Sequence, residues 1–393
     1  MRRNIRLMYY IRALKMFMIS MPVIVIFFQD LGLSYAEIFA LQGIFSLGSV
    51  LFEVPSGYFA DEKTRRLSII MGLWSSLIAW TVYSFSFEFW QLAIAELLLA
   101  VSYSFISGAD VAMLYDSLAE LGDEESNLQQ NSRSLATGAF SEGVAGVIGG
   151  LLAIISLRAP IFGQIAVAAV AIPFGYMLVE PPIKRRESTQ HPWRAISAVV
   201  KHALHENSGV KWLILYNAAL STMTYTVVWL AQPYYESSGI AIGYFGLIWF
   251  AKHVFLAGFG WKAESLKQRF GASKLLIALP SVGVVTYLVL ALGFSPWLLP
   301  AFIGFEFVRG LGRPLISDRI HKLIDSEFRA TVESVNGLIA RLFFISFGMA
   351  VGFLSDAYGL QITFLISAVG YGALLGAMLI AMRKRSILNF KRR

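Results

Sequence analysis

Residues 57–66 read GYFADEKTRR and residues 260–271 read GWKAESLKQRFG. Each stretch places an acid four residues after a glycine and an arginine five residues after the acid. The positions are Gly57, Asp61 and Arg66 in the first, and Gly260, Glu264 and Arg269 in the second. A second pair of landmarks, Gly108 with Asp116 and Gly310 with Asp318, recurs at nearly the same displacement. Both matches fall at equivalent places in the apolar pattern. Together they predict a chain made of two related halves, arranged as a parallel repeat about an axis along the membrane normal.

The sequence around these loops is that of a membrane protein. Of its 393 residues 56% are hydrophobic and 15% charged, where soluble domains carry about 25% charged residues, and the mean hydropathy is +0.63. Apolar blocks of about 18 to 25 residues recur from end to end, each long enough to cross about 30 Å of hydrocarbon. They predict spans at residues 8–29, 36–58, 67–86, 90–115, 134–156, 160–180, 211–232, 240–260, 274–293, 297–317, 333–355 and 361–382. The longest polar interruption splits these six and six. It gives a first half at 1–180, a linker at 181–210 and a second half at 211–393 ending in a short basic tail. In the linker, Trp193, Ile196, Val199, Val200 and Leu204 have the spacing of an amphipathic helix on a membrane surface.

Loop charges orient the spans. Arg2, Arg3 and Arg6, Lys63, Arg65 and Arg66, Lys184 to Arg186, Lys262 and Lys267, Arg319 and Lys322, and Arg383 to Arg385 all fall on one side, and only Arg158 on the other. The positive-inside rule makes the basic side cytoplasmic, with both termini there, and predicts the inner membrane as the location. The net charge of +8 then has a lipid-facing cause, and no nucleic-acid site is expected. The basic N-terminus precedes an apolar run too long for a signal-peptide core and is expected to be a retained first helix.

Enzyme classes find no foothold. No nucleotide-binding loop, HExxH motif or recognisable nucleophile setting is present, and the chain has no cysteine. His191, His202 and His205 have no carboxylate at ligand spacing, so they are expected to be solvated at the interface. No cofactor and no metal are expected.

In its loop motif and six-plus-six layout the chain resembles the major facilitator superfamily (MFS) of secondary transporters. Gly57, Asp61, Lys63, Arg65 and Arg66 reproduce the signature loop, although the usual glycine between the acid and the basic pair is replaced. The runs FEVPSGYFAD, SGADVAMLYDSL and RATVESVNGL are similar to a bacterial subgroup with many presumed efflux members. The resemblance implies an all-α membrane protein with the MFS fold, about twelve transmembrane helices in two six-helix bundles related by pseudo-two-fold symmetry. It also implies a cytoplasmic gate of Gly57, Asp61, Arg65, Arg66 and Asp116, with Gly260, Glu264 and Arg269 as the counterpart. In that reading the basic residues pair with Asp116, and Gly57 lets another helix approach closely. The bland alternative is that these residues only fix topology and loop packing.

Charges within the spans need a wet cavity or a partner, since one at the bilayer centre costs about 2.5–3.5 kcal/mol. On the fourth span Glu96, Tyr103 and Asp110 are spaced by seven, which predicts one polar stripe on a continuous helix. The tenth span carries Glu306, Arg309 and Arg313, and the eleventh Ser334, Gly337 and Arg341. Arg309 and Arg341 either line a cavity or, with Glu306, steady the bundle internally. Glu53, one turn before Gly57, is a proton-binding candidate or an extension of the gate. Asn217, Ser221 and Thr224 on the seventh span bind substrate or bond between helices. Glu142 sits among the glycines of the fifth span, which are read either as an antiporter-like motif or as close packing. Trp249 and His253 share a face of the eighth span and are read first as packing.

The expectation is a monomeric transporter working by alternating access, coupled to protons, carrying a small amphipathic or anionic molecule and leaning to export. Uptake of a small solute such as a metallophore or peptide fragment is the alternative. A sensor or enzyme that has kept the fold is the rival from another class.

Overall fold

The structure, a computed structural model, describes residues 1–182, 207–325, 328–385 and 387. The amphipathic stretch Trp193 to Leu204 and His191, His202 and His205 lie outside the described residues. Nine helices among the described residues are long and apolar enough to cross a membrane. One of these covers two spans: Arg329–Lys384 runs as a single assignment but breaks at Gly359, whose φ of 74° and ψ of 171° are not helical. A positive φ suits glycine because no β-carbon clashes there. The two remaining spans are interrupted helices. The first is Arg2–Met16 followed by Ile24–Asp30, and the tenth is a 3-10 turn, Pro296–Phe302, running into Ile303–His321. The twelve-span layout is thereby complete.

The breaks inside the first and fourth spans shape the interior. Within the first, residues 17–23 leave the helical ladder, and backbone polar groups freed in a membrane must find partners inside the protein. Gln164 of the sixth span (Ala159–Tyr176) supplies them, accepting from the Ile19 N–H at 2.9 Å and donating to the Phe17 carbonyl at 3.1 Å. The fourth span is two helices, Phe89–Ile106 and Ala109–Ala119, divided at Gly108 with φ 82°. The expected continuous stripe is corrected on this point: the change of direction at Gly108 puts Asp110 on a different helix from Glu96 and Tyr103.

The described chain separates into two compact units. One comprises Met1–Leu33, Leu41–Glu187 and Ala241–Ala251, and the other Ser34–Ala40, Ser188–Ile240 and Lys252–Arg393. In the first unit the fifth span (Asn127–Ile155) meets the start of the eighth (Phe245–Trp261) backbone to backbone. A β-carbon on Gly246 would fall on the Gly146 carbonyl oxygen, and Trp249 packs on Gly146. Close packing of small residues therefore accounts for these glycines. In the second unit the Asp356 carboxylate caps the start of the second span (Tyr35–Glu62), accepting from the Tyr35 and Ala36 N–H groups at 2.8 Å each. A carboxylate at a helix N-terminus satisfies open donors and complements the dipole.

Candidate functional site

Each unit holds a cavity with charged walls. In the second unit a cavity of about 390 Å³ is lined by Asn217, Ser221, Thr224 and Tyr225 of the seventh span (Ser208–Ser237) and by Arg309 and Arg313 of the tenth. Glu306 lies behind this wall at 2% exposure. One of its oxygens is 3.2 Å from the Arg309 guanidinium and the other 3.6 Å from the Lys252 ammonium of the eighth span. A carboxylate this deep is held in place by two cations, in line with the rule that buried charges are paired. Arg309 therefore has two roles: it neutralises Glu306 and faces the cavity, with its guanidinium 5.3 Å from the Tyr225 ring. Asn217 is tied back by Asn336, whose side chain accepts from it at 2.9 Å. Arg341 is half-buried on the eleventh span and does not line this cavity.

In the first unit a cavity of about 190 Å³ is lined by Arg12, Lys15, Asp110, Asn131 and Ser134 among others. Asp110 faces Arg12 at 3.4 Å and Lys15 at 3.9 Å, and Lys15 sits over the Tyr103 ring at 5.1 Å. Glu96 is elsewhere, at 5% exposure, accepting from the Tyr83 hydroxyl at 2.5 Å and the Gln42 amide at 3.0 Å. Tyr103 and Asp110 are thus brought together through Lys15, and Glu96 belongs to a separate buried network. Glu53 is exposed on the second span.

The loop motifs give two further pairs. Arg65 forms an ion pair with Asp116 and donates to the Ala112 carbonyl at 2.8 Å. Lys267 pairs with Asp318 at 3.1 Å. Both partners of the second pair are displaced by 202 residues from those of the first, so the repeat extends to side-chain contacts. Asp61 and Arg269 are exposed, and Arg269 stacks over Phe270 at 5.3 Å. Arg66 donates to the Tyr176 carbonyl at 2.8 Å. Gly57 is corrected: it is exposed, and a β-carbon there would meet nothing within 4 Å. The close approach belongs instead to Gly310, whose β-carbon would meet the Leu256 carbonyl oxygen at 2.9 Å; one on Gly260 would stay 3.7 Å from the Gly310 carbonyl.

Arg12, Lys15 and Glu180 join the candidate residues only once the chain is folded. The first two were visible as cations inside the first span. Glu180 accepts from the Arg65 and Arg66 backbone N–H groups at 2.9 and 2.8 Å, and nothing in its local sequence marks it.

Electrostatics sets a pH window for the second loop pair. Hydrogen bonds from Lys267 and Gln268 hold the exposed Glu264 carboxyl below its usual range. Partial burial alone would raise Asp318, but hydrogen bonds from Lys322 and Lys267 outweigh it and hold its carboxyl below the usual 3.8. The hydrogen bond to Glu264, joined by that to Asp318, raises the Lys267 ammonium above the usual 10.5. A depressed acid contributes stability above its unfolded value and loses it as pH falls through the folded one; a raised base does the reverse. The Lys267–Asp318 pair is therefore complete between 3.8 and 10.5. Melting curves of the purified protein should show an acid loss of stability that is smaller in Asp318→Asn. An identical acid profile in that variant would refute the assignment.

Comparison with known proteins agrees with this architecture. The chain is 22% identical over 372 residues to the uncharacterized MFS-type transporter YxaM of Bacillus subtilis (strain 168), covering 91% of this chain and 90% of that one. Its fold superposes on the nucleoside transporter NupG with a TM-score of 0.83 at 15% identity, covering 98% of this chain and all of that one. A bacterial homolog of the human lysosomal transporter Spinster superposes with a TM-score of 0.73 at 15% identity, covering 99% and 98%. At such identity the structural likeness is one of fold. The family profile reaches further: residues 8–348 match it, and with the interrupted twelve-span layout and the duplicated loop pairs this chain belongs to the Major Facilitator Superfamily as a membrane transporter of that type.

Proposed function

We propose that this transporter carries a small organic anion by alternating access, with protons as the coupling ion. The observation that carries the reading is Arg309, a cation that lines the 390 Å³ cavity while sharing Glu306 with Lys252. Arg313 in the same wall adds positive charge, and Tyr225 gives an apolar face for the rest of the molecule. The gate role of Asp61, Arg65, Arg66 and Asp116 is proposed with it, supported by the repeated ion pairs. So is an inner-membrane location with cytoplasmic termini, supported by the loop charges. Export, to which the motif resemblance leans, requires proton and anion to move oppositely; uptake requires them to move together.

Proteoliposome counterflow tests the reading. A panel of labelled organic anions is compared with their neutral amides under imposed pH gradients. Saturable flux of an anion that responds to the gradient is the expected result. Flux of the amides alone, or none for any member of the panel, would refute it.

A further inference from the structure

The smaller cavity, in the first unit, is walled by the first, fourth and fifth spans and holds two cations against one carboxylate. The side chains of Arg12, Lys15 and Asp110 are 24%, 16% and 10% exposed. Both cations address the same oxygen, Asp110 Oδ2, at 3.4 and 3.9 Å. These distances are long beside the roughly 2.7–2.9 Å of a tight charge-assisted bond. The other oxygen, Oδ1, accepts from the Val111 N–H at 2.8 Å. A guanidinium has five N–H donors and an ammonium three, and one carboxylate oxygen does not exhaust them.

We propose that Arg12 and Lys15 form a binding site for the anionic head group of a small organic molecule, and that the incoming anion displaces Asp110, which takes up a proton from water. The proposal rests on the anion reading above and adds to the Arg309 cavity a second anion site, in the first unit, and the sign of the coupling. Before binding, two cations and one carboxylate leave one positive charge. Afterwards two cations, a monoanion and a neutral carboxylic acid also leave one, so the exchange keeps the charge of a partly buried site constant. Of its present partners a displaced carboxylate keeps only the Val111 N–H, and a buried charge is costly once its counter-ions are taken by another anion.

Linkage fixes the consequence. If anion and carboxylate compete for the same cations, protonation strengthens anion binding and anion binding strengthens protonation by the same factor. Proton and anion are then carried in the same direction, which under an inward proton gradient is uptake. A carboxylate that itself bound a cationic substrate would give the opposite sign.

Other ionisable groups lie on the spans around this site. The fifth span, whose Gly138 lies against Arg12, carries Glu142 one turn on and Arg133 before it. The fourth contributes Tyr103 under Lys15, and the first contributes Tyr9, bonded to Gln130. Glu142 is the rival proton acceptor.

The test is titration calorimetry on the full-length protein in nanodiscs, run in buffers of different ionisation enthalpy so that protons are counted. The probes are benzoate and benzenesulfonate, with benzamide as the neutral control. The wild type should bind the anions but not benzamide and take up about one proton per anion, its affinity weakening about tenfold per pH unit on the alkaline side. Asp110→Asn should bind at least as tightly with no proton taken up. Glu142→Gln should retain the uptake, and Arg12→Gln should bind at least tenfold more weakly. Any one of four results would overturn the proposal: no binding of either anion, proton release or zero uptake in the wild type, uptake persisting in Asp110→Asn, or unchanged binding in Arg12→Gln. The proton count is made at equilibrium and needs no transport, so its failure is distinct from an absence of counterflow.

Discussion

Arg309→Ala should reduce transport of the anion that gives counterflow in the wild type by about ten- to a hundredfold. A hydrogen bond to a charged group contributes about 1.5–3 kcal/mol, and every 1.4 kcal/mol or so is tenfold. The loss should be functional rather than structural, because Glu306 keeps its contact with Lys252 at 3.6 Å, so the buried carboxylate is not left alone. Arg309→Lys should restore only part of the flux, since an ammonium keeps the charge but not the planar fork that meets both a carboxylate and a second anion. Melting temperature measured beside flux separates the two effects. Wild-type flux in Arg309→Ala would remove the tenth span from the substrate site.

Gln164→Leu should destabilise the protein by about 2–6 kcal/mol, because it strips partners from two backbone groups at about 1–3 kcal/mol each. Those groups are the Ile19 N–H and the Phe17 carbonyl in the interrupted first span. Gln164 is 3% exposed, and the break has no water from lipid to replace it. A single side-chain amide matches one donor and one acceptor at once, which leucine of similar size cannot do. The readout is thermal unfolding in nanodiscs, with Val170→Leu, at 53% exposure on the same span, as the control. If Gln164→Leu melts with the control, the break is satisfied by something other than this amide.

These two residues show what the sequence could and could not reveal. Span number was legible because apolar length acts locally and can be read without knowing the neighbours. Arg309 was legible for the same reason: a cation deep in an apolar run announces its own cost. Gln164 was not, because its worth lies in a break some 145 residues away. The stripe on the fourth span failed where Gly108 turned the chain, as a glycine in a helical pattern does not declare whether it will bend. Arg12 and Lys15 were readable as cations within the first span, but their joint hold on Asp110 is a matter of tertiary placement. Glu180 is the extreme case, an ordinary acid at the end of a span whose role appears only with the start of the third span, Arg65–Ser84, beside it.

The duplicated loop pairs are not equals. Arg65 and Asp116 have side chains 16% and 18% exposed, and Arg65 is also tied to a backbone carbonyl. Lys267 and Asp318 are 23% and 39% exposed, and Asp318 divides its charge between Lys267 and Lys322. Dissolved ions screen exposed pairs strongly and sheltered ones weakly. Ionic strength therefore acts on the two halves unequally: rising salt loosens the second pair while the first still holds, so the duplicated loops release in a fixed order.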